Sequence, residues 1–189
     1  MNMFVLHSDP IIAARMVCDK HCPKMIVESG QMLSTAHRMI DGYIEKRPSK
    51  SGLRLINYWV HPDKELEDIL YRAVHHNHPC TIWTRESKEN YQWHYEHFIG
   101  LCDEFEKRFG KVHATRQKLE DPLREAPSNM LNSNITTFPQ AMKKYPECMV
   151  EGDPVQAYRN YYHYSKPFAK WEKGTPAPDW WEGYKGIAA

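Results

Sequence analysis

Residues 80–110 read CTIWTRESKENYQWHYEHFIGLCDEFEKRFG. Ile82, Trp93, Phe98, Leu101, Phe105 and Phe109 recur there at close to helical spacing, and Gly110 follows as a C-terminal stop. His78-Pro79 stands in front as an entry, because proline suits the first turn of a helix. The spacing predicts one long buried helix over 80–109, with its aromatic stripe facing a core rather than stacking on a ligand. A chain built around such a helix is mainly α: a single compact helical domain over 1–189, with a long central helix and an aromatic C-terminal tail.

Working back toward the N-terminus, Ser8-Asp9-Pro10 is a capped, proline-led helix start, and Ile11 to Cys22 is expected to be helical. Pro23 should end or kink that helix. Lys24 to Ile40 resumes the pattern with Met25, Met32, Leu33, Ala36 and Ile40, and Asp41-Gly42 stops it. With only a kink, His21, Lys24, Glu28 and Thr35 share one face; with a break, His21 and Glu28 need not be neighbours. Lys46 to Gly52 reads as a basic, mobile surface loop, Leu53 to Val60 as an ambiguous extended stretch, and Pro62 to Val74 as a short helix. Forward of the long helix, 111–139 is rich in Pro, Asn, Ser and Thr and reads as a surface excursion. Asp153-Pro154 opens a helix to about Trp171, crowded with Tyr158, Tyr161, Tyr162 and Tyr164. The tail carries Trp180, Trp181, Tyr184 and Lys185.

The 189 residues suffice for a real core, and 6 Trp, 11 Tyr and 6 Phe argue against disorder. No apolar run reaches the roughly 18 residues of a membrane span, and no secretory signal is evident. Five cysteines without framework spacing suit a reducing, cytoplasmic setting. The net charge of +1 hides a local bias. Between Arg15 and Arg54 stand Arg15, Lys20, Lys24, Arg38, Lys46, Arg47, Lys50 and Arg54 against Asp19, Glu28, Asp41 and Glu45. That excess is a modest footprint for a phosphate backbone.

Glu28 is the residue to single out. A carboxylate among Met25, Ile26, Val27, Met32 and Leu33 should have a raised pKa unless a cation lies near, and Lys24 is one turn away. A plain exposed Lys24–Glu28 ion pair is the competing view. His75, His76, His78 and Cys80, and likewise Cys18, His21 and Cys22, lack the spaced pairs of a structural zinc site, so no metal is expected. Cys22, beside His21 and Lys24, is the best thiol nucleophile. Phosphate-cradling glycine motifs are absent, so no cofactor is expected.

The chain resembles the bacteriophage pyrimidine-dimer DNA glycosylases, small helical repair enzymes of the UV-repair endonuclease V type. The resemblance rests on Asp19, His21 and Glu28 at the family's spacing, on the stretch from His78 to the Lys107–Gly110 run, and on the tail Pro178-Asp179-Trp180-Trp181 with Tyr184-Lys185-Gly186. It implies a DNA glycosylase with abasic-site lyase activity on damaged or modified pyrimidines, acting on double-stranded DNA as a monomer in the host-cell cytoplasm. It implies an N-terminal amine nucleophile (Met1 or Asn2), Glu28 as the catalytic carboxylate, and base displacement after nucleotide flipping. His21, with Lys20, Lys24 and Arg38, is then expected to contact DNA, and Trp180, Trp181 and Lys185 to face the lesion strand. The chain departs from the family in carrying Asn at position 2 and in having Val27 and Gln31 around the glutamate where arginines are usual. Two alternatives follow: a non-catalytic nucleotide- or partner-binding protein on the same fold, and an enzyme remodelling modified DNA bases.

Overall fold

The computed structural model describes residues 2–186. The protein is mainly α, with one small antiparallel sheet. Asp9 caps α1 (Pro10–Arg15), its carboxylate accepting from the Ile12 amide at 2.9 Å. The helix stops at Arg15, earlier than the sequence suggested, and α2 (His21–Ile40) begins six residues on. Pro23 neither ends nor kinks it. Proline at the third position lies in the first turn, where no backbone donor is needed. His21 and Glu28 therefore share one helix.

Of the stretch expected to be a basic loop, 46–48 are strand and 49–52 lie in the turn: β1 (Tyr43–Pro48) pairs antiparallel with β2 (Leu55–Val60), within the stretch expected to be extended, Tyr43 pairing with Val60 and Pro48 with Leu55 in one hairpin. Its root is tight: a Cβ on Gly42 would lie 2.2 Å from the Arg38 carbonyl oxygen and 2.5 Å from that of Val60. Only glycine fits there. Asp63 caps the short α3 (Lys64–Ile69).

The helix expected over 80–109 is two helices. His78 and Pro79 open α4 (Pro79–Thr84), and α5 (Lys88–Phe109) starts again after Ser87, whose hydroxyl accepts from the Asn90 amide at 3.1 Å. The cap explains the break: Ser87 takes an extended conformation to reach the free amides of the new first turn. Gly110 closes α5 at φ 66°. The 111–139 stretch is not simply a surface excursion. It contains α6 (Ala114–Leu119), and Leu119, Leu123 and Met130 are buried. A 3₁₀ turn (Pro146–Cys148) precedes α7 (Pro154–Ser165), which Asp153 caps and Pro167 prevents from reaching Trp171.

One buried cluster runs through these elements, with Ile26, Leu33, Phe98, Leu101, Tyr91, Tyr158 and Tyr162 all but fully enclosed. The extended segment from Met3 to Leu6 threads this core and is 0–3% exposed. Among the described residues no helix is long and apolar enough to cross a membrane.

Candidate active site

The apolar run Met3–Leu6 carries the start of the chain inward, and its burial fixes where residue 2 sits. The Asn2 side chain is held from several sides. Its Oδ1 accepts from the Met3 amide at 2.8 Å, from the Tyr158 hydroxyl at 3.0 Å and from the Cys80 thiol at 3.4 Å, while its Nδ2 donates to the Ala141 carbonyl at 3.3 Å. Tyr158 divides its one proton between Asn2 and the Pro139 carbonyl, 2.9 Å away. So gripped, Asn2 directs its backbone nitrogen onto Glu28, donating to Oε2 at 2.8 Å. Twenty-six positions apart in sequence, the two meet because α2 passes over the buried leader segment. Met1, the other expected nucleophile, lies outside the described residues.

Glu28 itself is 13% exposed and pairs with Lys24, Oε1 to Nζ 3.7 Å, the lysine being 62% exposed. The one-turn pair forms, then, but the carboxylate is withdrawn from the surface rather than lying on a solvated face. Further cations gather around His21, at the start of the same helix. Lys20 lies over the Phe168 ring at 4.4 Å, and Lys166 over Tyr161 at 3.6 Å. Burial, with Lys24 close by, lowers Lys166 to about 8. His78 is half-buried; desolvation lowers its pKa and the Glu28 charge opposes the shift. Its Nδ1 accepts from the Cys80 amide, so in the neutral ring the proton is on Nε2. Lys166 and His78 had no functional place in the sequence. Lys166 is legible only through the α7 terminus, and His78 looked like nothing more than a cap.

The remaining expected site residues fall elsewhere. His21 is 4% exposed, its Nδ1 shares a hydrogen bond with the Tyr162 hydroxyl at 2.6 Å, and its ring stacks on Phe4 at 4.4 Å. Burial, helped by Lys166, Lys24 and Lys20, lowers it to about 3. Arg38 is 3% exposed and tied to the carbonyls of Trp59, Glu67, Leu70 and Tyr71 and to the Glu67 carboxylate. Both were expected to touch DNA. As folded they are internal, because each fills a buried hydrogen-bonding niche that its sequence neighbours do not reveal. Lys20 and Lys24 remain exposed. Asp19 is likewise structural: it accepts from Arg108 at 3.0 Å and from the Glu172 amide at 2.6 Å, which ties α5 and the tail to the start of α2. Cys22 is enclosed and pushed up to about 12 by burial, which removes it as a nucleophile at neutral pH.

Trp180 and Trp181 are half-buried around α7. Trp181 stacks on His163 at 5.0 Å, and Trp180 stands edge-on to Tyr162 and donates to the Met16 sulfur at 3.4 Å. Lys185 is exposed and pairs with Glu182 at 2.6 Å. These three gather about His163, while Asn2, Lys24 and Glu28 form a separate group. Two concavities, of about 940 and 380 Å³, lie at the far end of α2 by the hairpin, and neither is lined by Asn2 or Glu28.

Comparison with protein-family models, with curated proteins and with solved structures finds no match to this chain.

Proposed function

We propose that the protein is a DNA glycosylase with abasic-site lyase activity, acting on damaged or modified pyrimidines in double-stranded DNA, as a monomer in the cytoplasm. The observation that carries this reading is the 2.8 Å contact between the Asn2 backbone nitrogen and Glu28 Oε2. Once residue 1 is removed, that nitrogen is a primary amine whose reference pKa of about 7.7–8.0 leaves part of it unprotonated at neutral pH. Its lone pair attacks the sugar C1′, and the glycosidic bond breaks with its electron pair leaving on the base. Glu28 stabilises the cationic sugar and takes the proton that the attacking amine sheds. The nitrogen lone pair then expels O4′ from C1′, the O4′ oxygen taking up a proton as the sugar ring opens, and the protonated Schiff base results. Removal of a C2′ proton then expels the 3′ phosphate by β-elimination. Lys24 beside this carboxylate, with Lys20 and Lys166 around His21 at the start of α2, supplies positive charge for the phosphate backbone.

A second reading is favoured by Asn2 itself, 9% exposed with its side-chain oxygen and nitrogen both hydrogen-bonded inside the fold. On that reading the same fold grips a nucleotide or a protein partner without bond cleavage.

Borohydride trapping separates the two. The protein is mixed with duplexes carrying a pyrimidine dimer or an abasic site, reduced, and the adduct mapped by mass. The expected adduct sits on the N-terminal amine, and Glu28→Gln lowers turnover by about 10²–10⁴-fold while sparing DNA affinity. An adduct on Lys166 would move the nucleophile. DNA binding without an adduct, or a fully active Glu28→Gln variant, would sink the proposal.

A further inference from the structure

The C-terminal end of α2 and the root of the hairpin bring together three groups that the sequence keeps apart. His37 and Asp41 are one helical turn apart at the end of α2, and His61 follows β2 directly. One potential ligand atom from each lies within 4.8 Å of the others. His37 is 4% and His61 6% exposed, yet Nδ1 of His37 and Nε2 of His61 have no hydrogen-bond partner. Two buried, unpartnered imidazole nitrogens beside a carboxylate are costly unless something occupies the space between them.

The surrounding hydrogen bonds orient the ligands. The Tyr91 hydroxyl donates to the Leu123 carbonyl at 2.8 Å, so its oxygen accepts from His37 Nε2, also at 2.8 Å. The proton of neutral His37 is thereby placed on Nε2 and Nδ1 is left with its lone pair, although the Glu125 backbone near the ring favours the protonated form. A ligating histidine anchored through its other nitrogen is the usual arrangement around a bound metal. Asp41 accepts from the Ser128 amide at 2.7 Å and from the Asn129 amide and side chain at 2.9 and 3.0 Å, which leaves one of roughly four carboxylate lone-pair sites. His61 Nδ1 receives a long contact, 3.2 Å, from the Asp63 amide. Coordination through Nε2 requires a proton on Nδ1, so this contact yields; Asp63 is exposed, and water replaces it.

We propose that His37, Asp41 and His61 bind a divalent transition-metal ion, Zn²⁺ in the first place. Two imidazoles and one carboxylate suit zinc and its neighbours rather than magnesium or calcium, which take oxygen ligands. Zinc bonds of about 2.0–2.1 Å put tetrahedral ligands roughly 3.4 Å apart, so the cluster contracts slightly on binding. The remaining coordination position opens on the 380 Å³ cavity, where Glu125 stands in the lining. Asp41 precedes β1 and His61 follows β2, so the ion clamps both roots of the hairpin to α2. This site is independent of Glu28, which lies nine residues, about 13 Å, back along the same helix.

The test is a titration of metal-stripped protein with Co²⁺, followed by visible ligand-field absorption and by metal content, with Zn²⁺ displacing it. One ion per chain is expected, with a rise in Tm on adding Zn²⁺. His61→Ala and Asp41→Asn should weaken binding at least tenfold and remove the rise, with the circular dichroism of the metal-free protein unchanged. His61→Ala carries the test if Asp41→Asn disturbs the 128–129 loop, and exposed His76→Ala should bind as the parent does. A titration of His61→Ala superimposable on the parent, or no Co²⁺ absorption at millimolar metal, would overturn the site.

Discussion

At the scale of single residues, the interior carries more titratable groups than a pure core would. His97 on α5 is 1% exposed, stacks on Trp93 at 5.3 Å and has no partner for either ring nitrogen. Burial lowers its pKa to about 3. An unsatisfied buried polar group costs roughly 1–3 kcal/mol, so His97→Phe, which keeps the ring stack, should stabilise the protein by about 1 kcal/mol at pH 7. The sign of the pH effect follows from the lowered value. Between pH 6.5 and 3 the unfolded chain binds a proton that the folded chain refuses. The parent therefore loses stability as pH falls below about 6.5, by up to about 1.4 kcal/mol per unit for this group. The variant lacks that loss, so its advantage should widen by about 2 kcal/mol at pH 5. Denaturant unfolding at both pH values reads this directly, and an advantage that does not grow on acidification would mean that water reaches the ring. Glu28 shows the opposite economy, since its oxygens lie against Lys24 and the Asn2 nitrogen, both within reach of chemistry.

At the scale of elements, helix contact depends on where side chains are missing. A Cβ on Gly100 of α5 would lie 2.8 Å from the Ala14 Cβ and 3.3 Å from the Ile11 Cα of α1. Gly100→Ala should therefore cost about 1–2 kcal/mol, overpacking outweighing the gain of roughly 1 kcal/mol in helix propensity. Adding Ala14→Gly reopens the contact, and the pair should show a favourable coupling of at least about 0.5 kcal/mol in a double-mutant cycle. Strict additivity would place the strain elsewhere. Local signals of this kind were the legible part of the fold. Asp9-Pro10, His78-Pro79, Asp153-Pro154 and Gly110 each mark a boundary that forms as read, because caps and proline act within a few residues. The Ser87 cap was equally local, but the apolar stripe on both sides of it masked the break. The hairpin was hidden for another reason. Burial alternates along much of both strands, but Ile44 and Leu55 are exposed while Glu45 and Arg47 take the half-buried positions, so the apolar pattern does not follow it. Within the sites, Glu28 was legible, whereas its contact with Asn2 and the joining of His61 to His37 depend on long-range packing that no spacing encodes.

At the scale of the whole molecule, the two candidate sites lie about 13 Å apart along α2, Glu28 in its N-terminal half and the His37 group at its C-terminal end, from which the hairpin follows. That arm carries Lys46, Lys50 and Arg54, all exposed, beside exposed Tyr43, Ile44, Leu53 and Leu55. A two-stranded ribbon with one sheet neighbour is marginal in water unless its root is held, and Arg38 holds it by reaching the Trp59 carbonyl from α2. On the proposed DNA-binding reading, a held root would let the arm reach a second stretch of duplex while Lys20 and Lys24 meet the first. Each phosphate neutralised on duplex DNA contributes about 0.9 to the slope of log affinity against log salt. If the arm contacts the backbone, replacing Lys46, Lys50 and Arg54 together by alanine should flatten that slope by up to about 3, and weaken binding more at 50 than at 200 mM salt. Fluorescence anisotropy with a labelled duplex over that range measures it, with Lys20→Ala/Lys24→Ala as the comparison at the other end of α2. A slope changed by the second pair alone would confine the DNA to the Glu28 face and leave the arm to another partner. A slope changed by both sets would lay the duplex along the length of α2, about 30 Å or roughly nine base pairs.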